Sequence, residues 1–232
     1  MYVRLFIGCD GLAVDDILFW VGHACFYVKA NGINIFIDPF KIPEGLHEKA
    51  DILLITHAHF DHCSKDDIDR VIKKDTVMIS SQGCLEEKGY RDLIISKPGF
   101  RDEVKGVGIE AVPAYNTKSE RLQFHPRKNN WVGYVLDIGG TKIYHAGDTD
   151  FIDEMKTLKG LNAALLPMGG TYVMDVDEAV EAGKSIDAAA VVPMHYKALL
   201  GREGSAAAEK KFASELRNAK IMKEIAEPSY SF

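Results

Sequence analysis

Residues 55–62 read Ile-Thr-His-Ala-His-Phe-Asp-His, which places three imidazoles and one carboxylate within six consecutive positions. These side chains bind zinc, manganese, nickel or iron, because a metal needs deprotonated nitrogen or oxygen donors converging on one point. In an extended segment residues i and i+2 face the same way, so His57 and His59 can share one ion. Asp61 and His62 follow a change of direction and can face a second ion about 3.5–4 Å from the first, a common two-metal spacing. The pattern H-x-H-x-D-H arises by chance in roughly one of a thousand chains of this composition, so it points to a metal site rather than to coincidence.

The elements that must position this cluster are strands. Several apolar runs end in a reactive residue: Ile35-Phe36-Ile37 before Asp38, Leu53-Leu54-Ile55-Thr56 before His57, Lys142-Ile143-Tyr144 before His145-Ala146-Gly147-Asp148, and Val191-Val192-Pro193-Met194 before His195. Sheet folds build sites there, since rigid strands fix direction while the following loops vary. Turn chemistry alone accounts for Asp38-Pro39, but not for a histidine at three of the four ends.

Residues 17–21, 24–28 and 33–37 read as an antiparallel meander, the last two joined at Asn31-Gly32, a strong hairpin signal. Further strands are expected over 52–55, 77–80, 93–96, 107–112, 131–137, 142–144, 163–166 and 190–192, with another hairpin turn across Asp137 to Thr141. Helices are expected over 64–73, where Ser64 caps and Asp67 follows at the third position, and over 175–185 and 206–217. Strands in clusters, then helices between strands, predict mixed sheets covered by helices.

The 232 residues are 47% hydrophobic and 27% charged, enough for one domain over 1–232 whose first 16 residues form a loosely placed segment. A net charge of −6 with dispersed Lys and Arg argues against nucleic acid as a partner. The four cysteines, Cys9, Cys25, Cys63 and Cys84, lack C-x-x-C spacing and read as reduced thiols. Cys63, beside His62, is either a small buried apolar residue or a metal ligand or reactive thiol. The run from Leu5 to Cys9 is too short for a signal sequence and no apolar run reaches a membrane span, so a cytoplasmic protein with no membrane partner is expected.

H-x-H-x-D-H after a buried strand resembles the signature of the metallo-β-lactamase superfamily. Gly22-His23-Ala24, Asp38-Pro39-Phe40, His145 to Thr149, Leu166-Pro167-Met168-Gly169-Gly170 and Pro193-Met194-His195-Tyr196 extend the likeness across nearly the whole chain. They look like a branch of small metal-dependent hydrolases similar to the ascorbate-6-phosphate lactonases and, more distantly, to the phospholipase D acting on N-acylethanolamine phospholipids. The resemblance implies an α+β, four-layer αββα sandwich. It also implies two divalent metal ions, zinc first, with manganese, nickel or iron as alternatives. Carried over by position, His57 and His59 belong to the first metal, Asp61, His62 and His195 to the second, and Asp148 bridges them, with a hydroxide between the metals as nucleophile.

The chain departs from the pattern at the first metal's third ligand. Where the superfamily usually has a histidine, after Ile109 to Tyr115, this sequence has Asn116. An amide oxygen is the weaker donor, and His125 is placed to compensate. It lies in the polar loop Asn116 to Asn130, which also carries Arg121, Arg127 and Lys128 and is long enough to fold over a site. Either Asn116 or His125 completes the first site, the alternative being contact with a ligand or with substrate.

Among the remaining candidates, His23 matches a histidine of the related hydrolases and is expected at the rim of the site, with Asp61 as its catalytic companion. His145 is expected to support the site and His47 to be solvated. Asp38 is expected to orient the metal-binding loop, consistent with its place in a turn. Tyr115, Tyr172 and Tyr196 are either donors to substrate or packing residues. Arg127, Lys128 and Lys197 are either anion binders or solvating charges.

The function expected is hydrolysis of a small ester, lactone or phosphodiester, with a small-molecule substrate that carries an anionic group and a homo-oligomeric state. A diiron reductase or mononuclear iron dioxygenase is the first alternative, the reductase disfavoured because His59 stands where it would carry glutamate. A non-catalytic metal-stabilised scaffold is the second, disfavoured because structural zinc sites have four closed ligands, often cysteines.

Overall fold

The computed structural model describes residues 12–225. Among these residues twelve strands form two six-stranded mixed sheets. The first contains β1 (Leu18–Gly22), β2 (Cys25–Ala30), β3 (Ile33–Ile37), β4 (Ile52–Ile55), β5 (Val77–Ser81) and β6 (Leu93–Ser96), in spatial order identical to chain order. The second runs β12 (Val191–Met194), β11 (Ala163–Pro167), β10 (Thr141–His145), β9 (Val132–Ile138), β8 (Val107–Pro113) and β7 (Arg101–Val104).

The expected meander is β1 to β3, antiparallel throughout, and its second hairpin turns on Asn31 and Gly32, both at positive φ (53° and 75°) as that tight turn demands. From β3 onward the first sheet is parallel, and the second is antiparallel from β7 to β10 and parallel from β10 to β12.

Side-chain alternation sets the layers. Phe26, Val28, Ile35, Ile37, Ile52 and Leu54 point into the core shared with the second sheet, where they meet residues such as Ile109, Tyr134, Leu136 and Ile143. Their neighbours Cys25, Tyr27, Phe36, Leu53 and Ile55 face outward, onto a smaller cluster with Ile68 and Val71 of helix α2 (Lys65–Val71). On the far side α3 (Val176–Ser185) and α4 (Lys197–Glu215) cover the second sheet through Ala179, Ala182, Ala208 and Phe212. The result is the αββα sandwich.

Some elements differ from expectation. A one-turn helix, α1 (Val14–Ile17), precedes β1 and buries Val14 and Ile17; of the expected loose segment 1–16, residues 1–11, with Cys9, lie outside the described residues. Strand β7, Arg-Asp-Glu-Val, was not expected from its charges; it is an edge strand whose first three residues are exposed. Helix α4 begins at Lys197 rather than Ala206, with Gly201 (φ 65°) breaking it after its first turn. Ser64 caps α2, and Asp175 with Glu178 forms a capping box on α3. Among the described residues no helix is long and apolar enough to cross a membrane.

Candidate metal centre

The reactive residues gather at the ends of strands from both sheets. His57 leaves β4 through Thr56, and the chain then doubles back through His59, Asp61 and His62 ahead of α2. Past β10 the chain turns at Gly147 (φ 65°), where a Cβ would lie 2.9 Å from the Val132 carbonyl oxygen and 3.2 Å from Thr56 Cβ, so only glycine lets Asp148 swing inward. Three further residues are held at positive φ: His23 (52°) between β1 and β2, Asp38 (48°) after β3, and His195 (54°) after β12. For residues bearing a Cβ such backbone costs of order 1–3 kcal/mol and persists where the surrounding structure enforces it.

Among the described residues three groups of donors result, each with its ligand atoms within 4.8 Å of one another; Asp38, His57 and His62 form the smallest, and the other two hold four donors each. The first of these two comprises His57, His59, His125 and Asp148: His57 Nε2 lies 3.1 Å from His59 Nδ1, and His125 Nε2 lies 3.2 Å from Asp148 Oδ2. The second comprises His23, Asp61, His62 and His195, with Asp61 Oδ2 at 3.0 Å from His23 Nε2 and 3.4 Å from His195 Nε2. Asp148 reaches both, its Oδ1 lying 3.3 Å from His62 Nε2 and its Oδ2 3.3 Å from His195 Nε2.

The nitrogens of His57, His62 and His125 that face away from the centre are tied down. Thr56 Oγ1 donates to Asp38 Oδ2 (2.6 Å), leaving its lone pairs for His57 Nδ1 at 3.0 Å. His62 Nδ1 meets Asp38 Oδ2 at 2.8 Å, and His125 Nδ1 meets Asn116 Oδ1 at 2.9 Å. Each acceptor takes the Nδ1 proton, which leaves Nε2 as the ring atom aimed inward. There the buried Nε2 atoms of His62, His125 and His195 and Oδ1 of Asp148 have no hydrogen-bond partner. Buried polar atoms are nearly always satisfied, so four orphans converging on one spot fit a site built for cations.

Electrostatics agree. Burial opposes a charged His62, yet the carboxylates of Asp148, Asp61 and Asp38 outweigh it and hold its pKa well above the ordinary histidine value. Burial works against the Asp148 carboxylate, but His195 and His62 hold its pKa well below the usual range. Burial, aided by His195, pushes His23 down to about 4, so it is neutral at physiological pH.

The beta-lactamase superfamily domain model matches residues 17–195, a span that contains every residue of these groups. The chain belongs to the metallo-β-lactamase superfamily. Within it, the relatives are small metal-dependent hydrolases. A UPF0173 metal-dependent hydrolase from Thermoplasma volcanium is 36% identical over 196 residues, 79% of this chain and 84% of that one. A crystallised protein from Parabacteroides distasonis, whose proposed activity is metal-dependent hydrolysis, superposes with a TM-score of 0.79 at 32% identity over 89% of this chain and 92% of its own. A metallo hydrolase from Ignicoccus hospitalis gives 0.70 at 28% identity over 90% and 95%.

In this superfamily member His125, and not Asn116, stands in the first group. The Asn116 side-chain oxygen accepts from the His125 backbone N–H (3.0 Å) as well as from Nδ1, and its Nδ2 donates to Asp150 Oδ1 and to the Tyr172 carbonyl, both at 3.0 Å. Asp150 also accepts from the backbone N–H groups of Thr117 (2.7 Å) and Lys118 (3.0 Å), fastening the start of the loop, while Arg121 pairs with Asp150 and Glu178. Thr56 and Asp150 escaped the sequence reading; their signals were a hydroxyl between an apolar strand and a ligand, and a second aspartate two residues after Asp148.

Other candidates sit elsewhere. His145 Nε2 donates to the Ala24 carbonyl (2.8 Å) and its Nδ1 accepts from Gly147 N–H, so it braces the Asp148 turn outside these groups. His47 is exposed. Cys63 is outside the groups, and burial pushes its thiol up to about 12. Tyr115 donates to Glu154 and Tyr196 to Glu209, whereas Tyr172 faces the site. Lys197 pairs with Glu224 (3.3 Å) and Arg127 with Glu154 (3.2 Å), and Lys128 lines a separate hollow beside Glu87.

Above the donors opens a cavity of about 400 Å³. His59, Asp61, His125, Asp148 and His195 line it from the metal-binding side. Phe60, Phe124 and Tyr172 complete it.

Proposed function

We propose that this protein is a dinuclear metal-dependent hydrolase of a small ester, lactone or phosphodiester. His57, His59 and His125 would hold one ion, Asp61, His62 and His195 the other, and Asp148 would span both. The observation that carries this reading is the set of orphaned buried atoms, Nε2 of His62, His125 and His195 and Oδ1 of Asp148, facing one another while the outer nitrogens of His62 and His125 are bonded away. Each unsatisfied buried group costs about 1–3 kcal/mol, which a cation accepting their lone pairs offsets. A cysteine-free nitrogen and oxygen set suits zinc, with manganese, nickel and iron compatible. When bound, two such ions would make hydroxide available near neutral pH, by lowering the pKa of water from 15.7 toward about 7, and would polarise the bond to be cut.

The chain's own residues do the rest. Neutral His23 donates to Asp61 Oδ2 and fixes the direction of that carboxylate. Asp61, at the cavity wall, is held in its charged form against burial by His62, His195 and His23, and so would orient the attacking water as a hydrogen-bond acceptor. The remote hydrogen bonds from Asp38, Thr56 and Asn116 hold three imidazoles in place, so the donor geometry needs no rearrangement.

Metal analysis combined with a screen of lactones, phosphodiesters and thioesters on zinc-, manganese- and nickel-loaded protein tests the proposal. Two ions per chain and a hydrolysis that His57→Ala abolishes are expected. One iron per chain with oxygen consumption would overturn it in favour of an iron dioxygenase.

A further inference from the structure

The cavity departs from expectation in its charge. Arg127, Lys128 and Lys197 were candidates to bind a phosphate or carboxylate, yet among the described residues no lysine or arginine lines the cavity. Lys197 sits over the Trp20 ring at 4.7 Å and Arg127 over the Tyr115 ring at 4.7 Å, each beside its glutamate. The carboxylates that face it, Asp61 and Asp148, are the ones assigned to the ions, so an anionic group away from the reacting bond would find no lysine or arginine to pair with.

The remaining wall is aromatic. The Phe124 and Tyr172 rings meet edge to face at 4.7 Å. Phe60, between two donor residues of the motif, is 64% exposed, which leaves a large apolar surface at the cavity. Such exposed apolar surface beside convergent polar groups marks a ligand site, and about 400 Å³ is at the small-molecule end of such sites.

We propose that the substrate is an uncharged carboxylic ester or lactone whose non-reacting part is an aryl or alkyl group seated among Phe60, Phe124 and Tyr172. This rests on the hydrolase reading above. Water adds across the acyl–oxygen bond: carbon bonds to the water oxygen and releases the alkoxy oxygen. One proton of the water stays with the alcohol, and the new carboxylic acid loses its own to solvent.

The test measures kcat/KM of the metal-loaded protein on p-nitrophenyl acetate, butyrate and hexanoate and on bis(p-nitrophenyl) phosphate, with wild type, Phe124→Ala and Phe60→Ala. Expected is a rise of about fourfold per added methylene, the ~0.8 kcal/mol of burying one, that flattens in both variants. The phosphodiester is expected to react at least a hundredfold more slowly than the hexanoate. A flat chain-length series, or faster phosphodiester hydrolysis, overturns the apolar-substrate proposal and leaves the hydrolase standing. Calorimetric titration with the uncharged ketone 2-octanone separates the two ideas further. Binding weakened fivefold or more by Phe124→Ala, with no turnover of any ester, keeps the apolar cavity and removes the hydrolase, whereas neither binding nor turnover removes the apolar-substrate proposal.

Discussion

Asn116 Oδ1 lies 2.9 Å from His125 Nδ1 and 3.0 Å from the His125 backbone nitrogen, so one buried amide oxygen sets both the ring and the main chain of a residue nine positions later. Asn116→Ala would remove that acceptor and leave a buried ring N–H unpaired, which costs about 1–3 kcal/mol and frees the ring to turn. Metal affinity at one of two sites is expected to fall about 10–100-fold, the usual effect of losing such a partner. Chelator-competition titration checks this, and unchanged affinity at both sites would show that His125 needs no such support. His125→Ala is expected to lose that ion outright.

The motif residues were legible because their spacing is local: His57, His59, Asp61 and His62 lie within six positions, and strand alternation alone sorts the two inner histidines. Asp148 and His195 were legible only through resemblance, since nothing local pairs them with the motif. The choice between Asn116 and His125 was not legible. It depends on a loop closing by the Asn116 N–H to His125 carbonyl bond (2.8 Å) and on Asp150 holding the loop's base, contacts between residues up to 34 apart in the chain. The cavity's aromatic wall was hidden for the same reason: Phe60, Phe124 and Tyr172 come from three loops whose meeting no periodicity encodes. Strand β7 escaped because an exposed edge carries no buried pattern to read.

Asp38 is fully buried and accepts three hydrogen bonds, from Thr56 N–H (2.8 Å), Thr56 Oγ1 (2.6 Å) and His62 Nδ1 (2.8 Å). Asp38→Ala strands these donors, so a loss of about 3 kcal/mol or more of stability is expected even in the metal-free protein. Urea unfolding in chelator measures it. A change below about 1 kcal/mol would mean that water replaces the carboxylate and that its orienting role is small.

Gly133 on β9 lies beneath the end of β10, where a Cβ would come within 2.4 Å of the His145 carbonyl oxygen and 2.6 Å of the Ala146 oxygen. Both are backbone atoms leading directly into the Gly147–Asp148 turn, so relief must move the turn. Gly133→Ala is expected to destabilise by about 2–3 kcal/mol and to weaken metal binding as well, whereas an overpacked site remote from the donors would change stability alone. Thermal unfolding and metal titration of one variant read both effects.

The loop that carries His125 is anchored by charge, which makes its stability pH-dependent. Burial pushes Glu178 upward, but Lys118, the Asp175 backbone N–H and Arg121 together hold its pKa below the ordinary carboxylate value. A carboxylate with a lowered folded pKa contributes stability that is fully present above its unfolded pKa, about 4.3, and is lost as pH falls through the lower folded value. Glu178→Gln keeps the side-chain oxygen that caps α3 and removes the charge that pairs with Lys118 and Arg121. Its melting temperature is therefore expected to lie below that of the wild type at pH 7 and to converge with it as pH falls from about 5 toward 3. Comparing variant with wild type at each pH cancels the titration of the metal-binding groups, which the two proteins share. A difference that stays constant across the range would mean that Glu178 acts through packing rather than through its charge.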